Sequence, residues 1–184
     1  DMSSFFVAAM AHELGIEVNL CTIIGEPGHI FLEYNGTYMD FGVKKPAAFY
    51  INDPRFPISN ENEIYKFPLS KAICLFYSNR SIVSYISDAD NLYYETLAIA
   101  VDNNNQYQRY WHAKKLYGKG KWQQVVEGMT VTINKQPTFK NSWIYRGKSN
   151  YYLGNYADAI RDLLMAQSKG DASQSTIDTL ALAC

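Results

Sequence analysis

Two residues of this chain have the types and the spacing for general acid–base chemistry, His29 and Asp40. Between them lies Asn35-Gly36, flanked by the alternating runs His29–Tyr34 and Thr37–Phe41. Asn-Gly between two such runs is the strongest short-range signal for a two-residue hairpin. With Asn35 and Gly36 as the loop, Tyr34 pairs with Thr37, Glu33 with Tyr38, Leu32 with Met39 and Phe31 with Asp40. One face then holds Ile30, Leu32, Met39 and Phe41, an apolar core face. The other holds His29, Phe31, Glu33, Tyr38 and Asp40. His29 lies diagonal to Asp40, at about 7–8 Å between backbones, within reach of side-chain contact. A carboxylate bonded to one imidazole nitrogen fixes the tautomer and leaves the other nitrogen as a base. A slip of one residue in the pairing would destroy the arrangement.

The elements that must hold this hairpin are also legible. Ser3-Ser4 followed by Phe5, Phe6, Val7, Ala8, Ala9, Met10, Ala11 and Leu14 reads as a buried helix, with Gly15 as its stop signal. Ile16 to Ile24 is rich in β-branched residues and reads as a strand, and Gly25-Glu26-Pro27-Gly28 as a turn. Residues 43–71 hold four of the six prolines, Pro46, Pro54, Pro57 and Pro68, together with the polar turn Asn60-Glu61-Asn62. This stretch reads as a mostly extended connection over the surface of the first module, with Phe49-Tyr50-Ile51 as one added strand.

Composition bounds what the chain can be. Its 184 residues suit one large domain or two small ones. Such a length buries roughly 70% of the unfolded surface without help from disulfides or metal. Seventeen Lys+Arg against eighteen Asp+Glu argue against nucleic-acid binding by bulk charge. With charged residues at 19% and hydrophobic ones at 47%, wholesale disorder is excluded as well. No apolar run is long enough to span a bilayer, so no membrane partner is expected. Three cysteines, Cys21, Cys74 and Cys184, cannot all pair internally and show no CxxC spacing, which argues against a disulfide scaffold or a zinc site. No metal and no cofactor is expected. The chain opens on Asp1 with a helix already under way and stops in mid-pattern after Leu180, so it reads as a fragment of a longer protein.

The C-terminal half repeats. Gly120-Lys121-Trp122 lines up with Gly154-Asn155-Tyr156, and Ala113 with Gly147, at a spacing of 34 residues. That register gives blocks at 72–105, 106–139, 140–173 and a truncated 174–184. The period and the residues resemble the tetratricopeptide repeat (TPR). Trp143, Gly147, Gly154, Tyr156, Ala159, Leu163 and Ala166 stand at that family's packing positions in one block, and Ala113, Gly120, Trp122, Met129 and Pro137 in the block before it. Ile177, Leu180 and Ala181 open the last block. Small residues at Ala113, Gly147 and Ala181 let two helices approach, and an aromatic after the turn glycine fills the seam. Arg109 stands where an aromatic is usual, Thr132 replaces a small apolar residue, and block 72–105 keeps only Ala98 and Asp102. Each hairpin has an apolar face it cannot bury alone, so the units stack. The resemblance implies a groove on the first helices that presents Tyr107, Tyr110, Lys114, Tyr117, Ile144, Lys148, Tyr151 and Tyr152 to a protein or peptide. Aromatic faces with two lysines suit an extended segment carrying an acidic group. The open end of the interrupted repeat adds a surface that could favour self-association.

The order of elements at the N-terminus resembles the transglutaminase-like superfamily, a papain-like fold. The residues that carry the resemblance are Ser4 to Ile16, then Gly28-His29, then Tyr38-Met39-Asp40-Phe41. Bacterial members often carry TPRs behind this module. The resemblance implies His29 as general base, Asp40 as its orienting partner, and a thiolate that attacks an amide carbonyl to form an acyl-enzyme. Aligned on Phe5-Phe6-Val7, the family's nucleophilic Cys falls one or two residues before Asp1, so the chain as given is expected to be inactive. Cys21, inside a strand, reads as a buried structural thiol. Cys74 falls in the first repeat helix and Cys184 at the broken end. His12 is read as surface and His112 as packing.

The expected fold class is therefore α+β: a partial papain-like helix with antiparallel strands, followed by an all-α TPR solenoid. The expected boundaries are 1–45 for the transglutaminase-like module, 46–71 for the Pro-rich connection and 72–184 for the repeats. The parent protein is expected to perform amide hydrolysis, deamidation or acyl transfer while the repeats choose a protein partner. The alternative is a non-enzymatic TPR scaffold whose papain-like module is degenerate.

Overall fold

The computed structural model describes residues 2–24, 29–40, 43–51, 53–56, 58–71 and 88–184. Cys74, Phe41, the turn at 25–28 and the first helix expected in block 72–105 lie outside the described residues. The chain is α+β and forms two compact units, 1–108 and 109–184.

The first unit is built on a five-stranded antiparallel sheet. Its strands are β1 (Asn19–Ile23), β2 (His29–Tyr34), β3 (Thr37–Asp40), β4 (Val43–Lys45) and β5 (Tyr65–Pro68), in the order β4-β3-β2-β1-β5. The hairpin register is the one the Asn-Gly signal dictates, with Tyr34 opposite Thr37, Glu33 opposite Tyr38 and Leu32 opposite Met39. Asn35 and Gly36 both take positive φ, 48° and 76°, the backbone a tight hairpin turn needs. The Glu33 carboxylate locks that turn, accepting from the Gly36 amide and, at 2.8 Å, from the Asn19 side chain. Burial pushes the Glu33 carboxyl up, but these two bonds together with the Lys66 charge leave it below its ordinary value.

The sheet is buried on both faces, not on one. Leu20, Ile30, Leu32 and Phe67 pack with Ala8 of helix α1 (Met2–Glu13) and Ala98 of helix α3 (Asp88–Val101). Cys21, Ile23, Phe31 and Tyr38 on the opposite face pack with Tyr50, Phe56, Ile58 and Ile64. Ala98 and Asp102, read from sequence as remnants of a repeat, thus serve the sheet. Asp102 is buried, and it accepts from Tyr65 Oη at 2.8 Å and from Lys71 Nζ at 3.2 Å.

Two local expectations are corrected. The first helix is not buried throughout: Phe6, Met10 and Leu14 are 69%, 52% and 73% exposed, whereas Ser4 and Ala8 are buried. Its end is as read, because Gly15 at φ 71° lets the Ile16 amide bond Ala11 and the Gly15 amide bond His12. Phe49-Tyr50-Ile51 is no strand; it belongs to the short helix α2 (Ala47–Ile51), begun by Pro46 and the helix formers Ala47-Ala48. The strand of this stretch is instead β5, whose Phe67 points inward opposite Leu20. Pro68 sits on it because β5 is an edge strand, where a missing amide is tolerated.

The second unit is helical. Helices α4 (Gln106–Gly118), α6 (Lys140–Tyr152) and α8 (Gln174–Ala183) begin 34 residues apart, as do α5 (Trp122–Lys135) and α7 (Tyr156–Ser168). Gly120 and Gly154 close α4 and α6 with φ of 69° and 78°, and each closure repeats the same pair of amide-to-carbonyl bonds. Helices within each hairpin meet at glycine. A Cβ on Gly128 would lie 2.8 Å from Ala113 Cβ, and one on Gly147 would lie 2.9 Å from Leu163 Cγ. The two seams are built from opposite sides. The first pairs Ala113 with a glycine on the second helix, and the next pairs a glycine on the first helix with Asp162, the residue 34 positions after Gly128. Thr132 is accommodated because its hydroxyl bonds Ser142 Oγ at 2.9 Å inside the core. Ala181, expected at a third close seam, is exposed on α8, as are Ile177 and Leu182.

Candidate functional site

His29 and Asp40 meet. The imidazole Nε2 lies 2.8 Å from Asp40 Oδ2, with the two side chains 19% and 10% exposed. The twist and pleat of β2 and β3 close the diagonal separation of the backbones. Nε2 is taken by the carboxylate, so Nδ1 is the ring nitrogen left to accept a proton. The ring stacks with Phe56 at 5.0 Å and with Phe31 at 5.5 Å, and Tyr50 lies tilted against it at 6.0 Å. This aromatic wall holds the imidazole in one plane and limits water around it. Tyr50 and Phe56 were not legible as site residues, because only the path of α2 and the loop after it brings them to the hairpin.

A charged pair stands at the same loop. Arg55 forks onto Asp53, with Nε–Oδ1 at 2.9 Å, and its guanidinium lies 5.2 Å from the Phe56 ring centroid. The bonds from Arg55 hold the Asp53 carboxyl down at about 2. Cys21 lies on the same sheet face as His29 but is fully buried, and burial pushes its thiol far above the ordinary range. It cannot supply a thiolate. Cys184 is exposed in the second unit, and His12 is on the surface of α1, beside exposed Glu13. A cavity of about 360 Å³ lined by Ala8, His12, Ile16, Val18 and Leu69 opens on the α1 face of the sheet, away from His29. Among the described residues, no group of His, Cys, Asp and Glu could hold a metal ion, and no helix is long and apolar enough to cross a membrane.

The residues expected in the groove are placed unequally. Tyr110 has no exposed surface and packs edge-on against Phe139 at 4.9 Å, so it supports the fold and offers nothing to a ligand. Tyr107 falls within the first unit and is half-buried in its α1-side core. Lys114, Tyr117, Ile144, Lys148 and Tyr151 are half-buried, and Tyr152 is 56% exposed. Lys114 Nζ sits 4.8 Å from the Trp111 ring centroid. Tyr117 contacts Tyr145 and Trp122 at 5.0 and 5.2 Å, and Trp122 stacks on Tyr152 at 4.4 Å. Lys148 Nζ donates to Ser175 Oγ at 2.8 Å, and partial burial lowers its ammonium pKa. The buried pair beneath this face was missed from sequence. Arg146 forks onto Asp162 with two bonds of 2.8 Å, and Asp162 is fully buried. An Asp at a seam position was the available signal.

Comparison with known proteins agrees on the repeats. The solved structure of the first TPR of Spaghetti (RPAP3) bound to the HSP90 peptide SRMEEVD matches with a TM-score of 0.54 at 11% identity, covering 61% of this chain and 91% of that one. The helical region of this chain therefore has the TPR fold. No family model matches the chain, and no curated protein matches it.

Proposed function

We propose that the helical repeats bind an extended protein or peptide segment bearing acidic groups. The observation that carries this is the TPR fold itself, with Tyr117, Lys148, Tyr151 and Tyr152 retaining accessible surface on the first helices of two successive hairpins. The aromatic rings supply area at low entropic cost, and Lys114 and Lys148 supply the cations. The similar structure was solved with a short peptide containing consecutive acidic residues, which is the chemistry these lysines suit. Titration calorimetry with such a peptide tests the reading. Binding is expected, weakened about five- to tenfold by Lys148→Ala, a loss of about 1–1.4 kcal/mol. Absence of binding, or an unchanged Kd in the variant, would contradict it.

A second reading is favoured by the 2.8 Å contact of His29 with Asp40. In it the first unit is a transglutaminase-like module, and the parent protein performs amide hydrolysis, deamidation or acyl transfer. Asp40 fixes the imidazole, Nδ1 takes the proton of a cysteine thiol carried before Asp1, and the thiolate attacks the amide carbonyl. The tetrahedral adduct collapses to an acyl-enzyme as the proton passes to the departing amine. The parent protein should release ammonia or amine from glutamine-containing peptides, and His29→Ala should abolish that release. Release that survives the substitution would exclude His29 as the base.

A further inference from the structure

Asp40 uses one of its two oxygens on His29. The other, Oδ1, is buried with no hydrogen-bond partner among the described residues, and so is the hydroxyl of Tyr50. Both groups belong to the same face of the sheet. Tyr50 has no exposed surface, and its ring is fixed on three sides. It stacks on Phe31 at 4.2 Å with 12° between planes, and meets Tyr38 and Phe49 edge-on at 5.9 and 5.2 Å. Tyr38 lies two residues before Asp40 on β3, and His29, which bonds Asp40, lies 6.0 Å from the Tyr50 ring. Each unsatisfied buried oxygen costs about 1–3 kcal/mol, and the Asp40 charge is felt at the Tyr50 hydroxyl. A bridging water satisfies both at once, accepting from the phenol and donating to the carboxylate.

We propose that Tyr50 is a positioning residue for the His29–Asp40 pair, its hydroxyl holding Asp40 Oδ1 through one buried water. With both oxygens engaged, the carboxylate plane cannot rotate, and Oδ2 stays on His29 Nε2. The imidazole is then confined to the Nε2–H tautomer, with Nδ1 bare. Burial first, and the Asp40 charge second, raise the Tyr50 hydroxyl well above its ordinary range, so it is a donor at neutral pH. The bridge rests on these two unpartnered oxygens and the rings packed around them; its catalytic meaning rests on the reading of His29 as a base.

The test uses this chain labelled with ¹⁵N, at about pH 8 where an ordinary imidazole is neutral. Long-range proton–nitrogen correlation reads the tautomer of each histidine, and His29→Gln assigns the His29 signal. The native chain should show His29 as the Nε2–H form alone. Tyr50→Phe keeps the ring packing and should turn that signal into a mixture of tautomers. A single tautomer retained in Tyr50→Phe, or a mixture in the native chain, would overturn the proposal. A high-resolution crystal structure of the native chain decides the same point if the variant does not fold. A water within about 3 Å of both oxygens supports the bridge, and a direct contact or a dry gap refutes it. Loss of the amide chemistry would appear as an unreactive parent protein with the tautomer unchanged, so the two failures are separable.

Discussion

His29 Nε2 and Asp40 Oδ2 lie 2.8 Å apart although eleven residues and a change of strand separate them. The contact exists because Asn35-Gly36 forces a two-residue loop, and the loop sets which residues share a face. Asp40→Asn should keep the fold and weaken this bond. A charge-assisted hydrogen bond in a mostly buried site contributes about 1.5–3 kcal/mol. Urea denaturation of the chain should show the midpoint fall by a corresponding amount with the slope unchanged. An unshifted midpoint would mean that the pair contributes nothing to the first unit.

The seams of the second unit make a sharper demand. Leucine at Gly147 would drive its side chain into Leu163, whose Cγ already stands only 2.9 Å from where the new Cβ would sit, and should cost about 3 kcal/mol. Trp143 bonds Pro137 O through Nε1 at 2.8 Å and lies 5.1 Å from the Arg146 guanidinium. Trp143→Ala removes the bond and the packing, at about 2–4 kcal/mol given its partial exposure. Thermal unfolding followed by circular dichroism reads both. Unchanged melting in both variants would refute the 34-residue register.

Arg146 and Asp162 offer a test of buried charge. Removing one partner of such a pair strands the other in a low-dielectric interior, at about 3–5 kcal/mol. Arg146→Met should therefore destabilise the second unit far more than the exposed Arg161→Met, whose partner Asp158 faces solvent. Equal melting temperatures for the two variants would contradict the buried network.

Alkaline titration probes the aromatic face. Burial, reinforced by the neighbouring Tyr152 and Tyr145, raises the Tyr117 hydroxyl to about 12. The unfolded value is about 10. The folded state therefore favours the neutral phenol. A raised pKa of this kind stabilises the protein fully below about pH 10, and the contribution is lost as the pH rises toward 12. Ultraviolet difference titration of the native chain against Tyr117→Phe should remove one late-ionising tyrosine. A difference spectrum that titrates near 10 would contradict the packing described.

The fold was legible where the signal is local. Asn35-Gly36 predicted the hairpin and its register, Gly15, Gly120 and Gly154 marked helix ends, and the 34-residue spacing identified the repeats. What was not legible depends on which surfaces meet. Phe6, Met10 and Leu14 belong to an apolar run that reads as buried, yet they are exposed while Ala8 of that helix packs on the sheet. Tyr50 reads as strand from its β-prone neighbours Phe49 and Ile51, whereas Pro46 and two alanines start a helix there. The aromatic wall around His29 could not be foreseen, since Phe56 arrives from a loop with no periodicity. Tyr110 has the spacing of a groove residue, but the ring turns into the core against Phe139.

The most direct test of His29 as a working base is thiol reactivity in a form of the protein that extends upstream of Asp1. A thiol probe is applied at neutral pH, and the modified residue is mapped by peptide mass spectrometry. If His29 is the base, a cysteine just upstream of Asp1 labels faster than the exposed Cys184, His29→Ala slows it at least about tenfold, and buried Cys21 stays unlabelled. No reactive thiol there, or labelling indifferent to His29, would contradict that role and leave the repeats as the functional part of the chain.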